Sequence, residues 1–125
     1  MKKPIKVEVR RSRIQGRGLF AGQKIPEGAW VMKYEGQKIS RKEGDRRERF
    51  YASIGYSLLF DMEDHYVDGL VGGNDSIYIN HSKKNPNLEA LFWRKGVWFQ
   101  ALRDIAKGEE LTFDYGFDPE KPLKK

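Results

Sequence analysis

Apolar and polar positions alternate along much of this chain with a period of two. Near the C-terminus, Leu111, Phe113, Tyr115 and Phe117 interleave with Thr112, Asp114 and Gly116, the signature of a strand with one buried face. Gly108, Glu109 and Glu110 lead into it as a turn. A second β-prone run covers residues 76–82 and ends in Asn80, His81 and Ser82. Two such strands bring a tyrosine hydroxyl, an amide and an imidazole to one place. At the other end, Ile5, Val7 and Val9 alternate with Lys6, Glu8 and Arg10, which predicts an edge strand over residues 5–13 with a basic outer face. Residues 30–36 predict another strand. Two hairpins are expected, 56–62 with 66–68 across the acidic turn Glu63-Asp64-His65, and 88–92 with 97–103 across Arg94-Lys95-Gly96.

One stretch predicts a helix instead. In residues 40–51, Ser40 is placed to cap and Glu43 stands three positions on, as in a capping box, while Gly44 counts against helix. Its Arg41, Lys42, Arg46, Arg47 and Arg49 read as a solvated face, with nucleic-acid contact the minority alternative. Gly16-Arg17-Gly18 lacks the third glycine and strand-to-helix context of a dinucleotide fingerprint. The residues alone favour a tight turn there, the alternative being a backbone that must approach a ligand closely. Asp61, Glu63, Asp64 and Asp68 lack the spacing of a calcium loop. They are either a solvated turn or an acidic lip for a basic peptide. Phe92, Trp93, Trp98 and Phe99 read as cross-strand and core packing ahead of a base-stacking platform.

Composition narrows the picture. A chain of 125 residues supports one domain, and 13 Gly, 5 Pro and 13% aromatic residues favour many short strands over a helical bundle. With no cysteine there is no disulfide framework, thiolate metal site or cysteine nucleophile, and no metal ligand set is assigned. No apolar run reaches membrane-span length and no signal peptide is read, so a soluble intracellular protein is expected. The net charge of +6 favours polyanions without naming one.

The ordered set of segments then becomes informative. GRGLFA at 16–21, Tyr34-Glu35-Gly36, LLFDM at 58–62, VDG at 67–69, Gly73-Asn74, YINHS at 78–82, Pro86-Asn87 and GEELTFDYGF at 108–117 together resemble the SET domain of protein lysine methyltransferases. The resemblance covers about residues 10–117, leaving 118–125 as a short tail. It implies a mainly β fold of several small curved sheets with one or two short helices, and a C-terminal strand threaded under the NHS segment as a pseudoknot.

It also implies chemistry. Such domains transfer a methyl group from S-adenosylmethionine to a lysine side chain. By position, Gly16, Arg17, Gly18 and Leu19 would lie against the cofactor with Asn80, His81 and Tyr115. Tyr115 would be the active-site tyrosine, and Tyr56, Leu58, Phe113, Tyr115 and Phe117 would line the substrate-lysine channel. Phe113 carries no hydroxyl to anchor the amine, so di- or trimethylation is expected. Three departures stand out: Lys83 follows the NHS motif where many relatives have a zinc-binding cysteine, Leu58 replaces a channel tyrosine, and no pre-SET or docking region is read. The chain thus looks like the minimal SET proteins of viruses and prokaryotes. The expected substrate is a histone or other basic chromatin-like protein, with nucleic acid close by through the basic surface and a homodimer open. That places the protein in the cytoplasm or nucleoid of a prokaryote, or in the nucleus if it acts on host histones. The competing reading is a basic β module that binds nucleic acid or a basic peptide without catalysis.

Overall fold

The computed structural model describes residues 4–55, 58–94 and 96–116. They gather into two compact units, one of residues 1–33 with 78–125 and one of residues 34–77. The first is built mainly of short strands, the second of three short strands and a helix, and no helix among the described residues is long and apolar enough to cross a membrane.

In the first unit, β1 (Val7–Arg11) pairs antiparallel with β2 (Arg17–Ala21), from Val7 opposite Ala21 to Arg11 opposite Arg17. The expected strand over 5–13 is therefore shorter. Ser12 ends it: its N–H donates to the Gly16 carbonyl at 2.8 Å, and its Oγ accepts from the N–H of Ile14. A side-chain oxygen that bonds the next backbone amides competes with the ladder. Gly16 closes the turn at φ +46°, a left-handed conformation that glycine adopts without steric penalty.

A five-stranded sheet carries the rest of this unit, in the order β3 (Trp30–Tyr34), β9 (Gly96–Ala101), β8 (Leu88–Trp93), β10 (Thr112–Phe113), β7 (Asn80–His81). β8 and β9 form the predicted hairpin, with Leu88 opposite Ala101. Leu19, Ile25, Ile79, Leu88, Val97, Phe99, Ile105 and Leu111 are all at most 1% exposed and make the core. Only part of the aromatic run joins it. Phe99 is buried, Trp93 and Trp98 pack with Trp30 at centroid distances of 6.0–6.5 Å, and Phe92 is exposed.

The two strands expected around the polar triplet are shorter than the alternation predicts. Residues 75–78 form a 3₁₀ turn, because Asn74 Oδ1 accepts from both the N–H and the hydroxyl of Ser76. Only Asn80–His81 remains extended. In the run 111–117, Thr112 is buried beside Leu111, so a single buried face does not extend through it. β10 nevertheless lies between β7 and β8, parallel to both, with Thr112 opposite Asn80 and Phe113 opposite His81 and Leu88. Since β7 and β8 are successive in sequence, this is the threading that the resemblance implied.

In the second unit, β4 (Gln37–Ile39), β6 (Tyr66–Asp68) and β5 (Leu59–Asp61) form an antiparallel sheet, joined by α1 (Arg41–Ser53). Ser40 caps α1 by accepting from the Glu43 N–H. Glu43 does not complete a capping box. It forks to Arg46 and Arg47 at 2.6–2.8 Å, and these guanidiniums, Arg46 foremost, hold its carboxyl down at about 2. Two sequence expectations fail here for one reason. Asp68 is not part of an acidic turn, and Arg47 is not solvated: the fully buried Asp68 carboxylate accepts from Arg47 at 2.9 Å, Tyr51 at 2.7 Å and the Leu70 N–H. A buried charge requires such partners. Asp61 pairs at the surface with Arg41, whose guanidinium lies 4.1 Å from the Tyr66 ring centroid.

Gly44 is explained by the same packing. It is buried, and a Cβ there would stand inside 3.0 Å of Tyr66 ring atoms. Gly44→Ala in an exposed helix would gain about 1 kcal/mol. Here it is expected to lose roughly 1 to 3 kcal/mol through overpacking, read as a lower urea midpoint with unchanged slope.

Candidate active site

The site is built where β7 and β10 run side by side. Parallel register puts Asn80 and His81 beside Thr112 and Phe113, and Tyr115 follows two residues beyond the strand. Sequence proximity contributes nothing, since Tyr115 and His81 lie 34 positions apart. The backbone N–H of Tyr115 donates to His81 Nδ1 at 3.0 Å, and the rings are tilted with centroids 5.1 Å apart. That bond makes Nδ1 the acceptor and leaves the proton on Nε2.

The Tyr115 hydroxyl donates to the Ile79 carbonyl at 2.6 Å. Its ring meets Phe113 at 4.7 Å, and Phe113 in turn meets Phe99 at 5.0 Å. Burial pushes the Tyr115 hydroxyl up to about 12, because a phenolate loses its hydration in an apolar setting. The side chain is therefore neutral and fixed, with its proton committed to a backbone oxygen.

Asn80 sits at the centre of a second cluster. Its Nδ2 lies 3.2 Å from the carbonyls of Gln15 and Arg17, 3.2 Å from Ser12 Oγ and 2.9 Å from Glu110 Oε2. Gly18 is buried against the same carboxylate, and a Cβ there would stand inside 3.0 Å of Glu110 Oε2. The glycine pair thus does two jobs: Gly16 makes the turn, and Gly18 leaves room for a side chain on the opposite segment. Arg17 contributes its carbonyl while its side chain is exposed. Leu19 is fully buried core, and its carbonyl accepts from the Leu111 N–H at 2.7 Å.

Of the residues expected at the site, Gly16, Arg17, Gly18, Asn80, His81, Phe113 and Tyr115 belong to this one unit. Leu58 is a buried residue of the 34–77 unit, where its carbonyl accepts from the Tyr34 hydroxyl. Tyr56 and Phe117 lie outside the described residues. Ser12 and Glu110 were not singled out by sequence, where Ser12 is one polar residue at a strand end and Glu110 one of two turn acids. The usable signal was Gly18, a glycine inside a strand, which marks the close approach of another group.

A threaded parallel strand thus gathers a backbone turn, an asparagine, a histidine and a half-buried tyrosine into one unit of a mainly β domain. Residues 16–116 match the SET domain family, and the chain belongs to it. It is 40% identical over 117 residues to the histone-lysine N-methyltransferase trithorax of Drosophila virilis, covering 89% of this chain and 3% of that protein. It is equally 40% identical over 125 residues to histone-lysine N-methyltransferase 2B of Homo sapiens, covering 95% of this chain and 5% of the relative. A solved structure of Polycomb Repressive Complex 2 of Chaetomium thermophilum, in an autoinhibited conformation bound to S-adenosylmethionine, is similar with a TM-score of 0.80 and 37% identity. That match covers 91% of this chain and 15% of the other. The chain thus spans a small fraction of the relatives it matches.

The neutrality of Tyr115 has a direct readout. Its folded value of about 12 lies above the reference near 10. The stability it contributes is full below pH 10 and is lost as pH rises through 12. Tyrosinate absorbance of the chain minus that of Tyr115→Phe should show the missing titration near the top of this window. A midpoint near 10 would contradict the buried placement.

Proposed function

We propose that this chain is an S-adenosylmethionine-dependent protein-lysine N-methyltransferase acting on a histone or another basic chromatin protein. The observation that carries the reading is the parallel β7–β10 pair, which places a fixed, neutral Tyr115 against His81 and Phe113 in the unit that also holds the Asn80 cluster. The residues fit the cofactor by donor type. Asn80, the backbone of Gly16 to Gly18 and His81 offer polar groups for its amino-acid and adenine parts, with the Gly16 turn open to close approach.

The bound cofactor supplies a methyl group on a positively charged sulfur. The protein's own task is alignment of the incoming amine and exclusion of water. A lysine of pKa about 10.4 must shed its proton, at a cost of roughly 4 to 5 kcal/mol at pH 7. Tyr115 does not serve as the base, since its own proton is held more tightly than that of a free lysine. Its role is orientation, together with the apolar surface of Phe113, which packs on the core residue Phe99 and disfavours the ammonium form.

Methyl transfer from labelled S-adenosylmethionine to histones and to a whole-cell lysate tests this. Label is expected on a discrete protein band, reduced about 100-fold by Tyr115→Phe, on the scale of a lost transition-state contact, and abolished by Asn80→Ala. No label, with no cofactor binding by calorimetry, would overturn the reading.

The degree of methylation follows from Phe113. With no hydroxyl at that position, the chain should carry a lysine on to the di- or trimethyl state, whereas Phe113→Tyr should accumulate the monomethyl product. Mass spectra that show monomethyl lysine alone for both proteins at long times would refute this.

A further inference from the structure

We propose that Glu110 is a positioning residue for the α-ammonium of the cofactor, acting through Asn80 and tied to the Gly16 turn by Ser12. The inference rests on the methyltransferase reading and adds to it a residue and the charge it recognises.

The amide of Asn80 has two distinguishable ends, and its surroundings decide between them. Gln15 O, Arg17 O and Glu110 Oε2 are acceptors without a proton to give, and they cluster around Nδ2. Turning the amide over would set oxygen against three oxygens, one of them charged. Glu110, the shortest of these contacts at 2.9 Å, thus locks the orientation. Oδ1 is turned the other way, and among the described residues it accepts no hydrogen bond.

Ser12 makes the lock rigid. Its hydroxyl has one proton, shared between the two Glu110 oxygens at 2.9 Å each. Its lone pairs accept from the Ile14 and Gln15 N–H groups. The turn that presents residues 14–17 is thereby referenced to the Glu110 carboxylate.

Charge identifies the ligand class. Glu110 is half-buried, and no Arg, Lys or His among the described residues pairs with it, whereas Glu109 next to it pairs with Arg103 at 2.6 Å. A carboxylate balanced by no cation among the described residues, beside an outward amide oxygen, suits a ligand that brings a positive charge and N–H donors. A primary ammonium has both, and S-adenosylmethionine carries one on its amino-acid end.

The test compares calorimetric binding of S-adenosylhomocysteine with that of its α-deaminated analogue, using the full chain and two variants. Wild type should prefer the amino form. Glu110→Gln, which keeps the shape and removes the charge, should weaken the amino form by about tenfold to a hundredfold and leave the deaminated form within about twofold. Ser12→Ala should move in the same direction by less, and serves if Glu110→Gln does not fold. Equal weakening of both ligands would reduce Glu110 to a structural role and overturn the proposal, as would no change in either. If wild type bound neither ligand, the cofactor reading itself would fall, an outcome separate from the variants.

Discussion

The fold depends on holding a two-residue strand inside a sheet. β10 contributes only Thr112 and Phe113 to the ladder, too few backbone bonds to keep a parallel insertion in register. The side chain of Asn87 makes up the difference. It is 1% exposed, its Oδ1 accepts from the Thr112 N–H at 2.9 Å, and its Nδ2 donates to the Glu110 carbonyl at 2.8 Å. Its own N–H donates to Thr112 O. One asparagine thus extends the ladder on both sides of residue 111, in a place where an unpaired backbone group would cost about 1 to 3 kcal/mol. Register follows, and with it every contact that depends on Thr112 standing opposite Asn80.

Two electrostatic arrangements are then built on that register, and they differ in kind. Near Tyr115 the surroundings are mainly aromatic: His81 Nδ1 accepts from the Tyr115 N–H with an Asp114 oxygen 3.9 Å away, and the phenol donates to a carbonyl. Around Asn80 they are carbonyls and a carboxylate, with Glu110 lacking a cationic partner among the described residues. An aromatic end and an electronegative end in one unit suit, on the proposed reading, a ligand whose amino-acid end is cationic. The 34–77 unit shows the opposite treatment of a buried acid. There Asp68 is saturated by Arg47, Tyr51 and a backbone amide, which makes it a structural anchor with no capacity left for a ligand.

Legibility in the sequence tracked the range of the forces involved. Ser40 as a cap and the two hairpins were readable because capping and turn chemistry act over three or four residues. The strand expected at 76–82 failed at its start because Asn74 bonds Ser76 locally, and periodicity carries no information about that choice. The aromatic run was half right, since alternation sorts faces but does not say which sheet end is covered. Asp61 and Asp68 look alike as letters, as do Glu109 and Glu110. Yet Asp61 is at the surface and Asp68 is fully buried, and Glu109 pairs with Arg103 while Glu110 pairs with no cation among the described residues. Asn80, His81 and Tyr115 were legible through resemblance to a family, while the partners that orient Asn80 were not. Only Gly18, too small for its strand position, pointed to them.

The state of Tyr115 constrains any mechanism in this site. A phenol that donates its O–H to the Ile79 carbonyl and whose value is raised to about 12 is already protonated at neutral pH, and so has no site at which to take a proton from an amine of pKa about 10.4. Under the proposed function, a target lysine would lose its proton toward solvent before the amine is enclosed, or be driven to do so by burial beside a positive charge. Both routes ask the same of the protein: apolar walls that penalise the ammonium, and a hydroxyl that orients without ionising. On that reading the half-buried Phe113, backed by the core residue Phe99 at 5.0 Å, would supply the first, and the Tyr115 hydroxyl held by the Ile79 carbonyl the second. The burial that keeps Tyr115 protonated, and so unavailable as a base, is therefore the same burial that on the proposed reading would favour a neutral amine beside it.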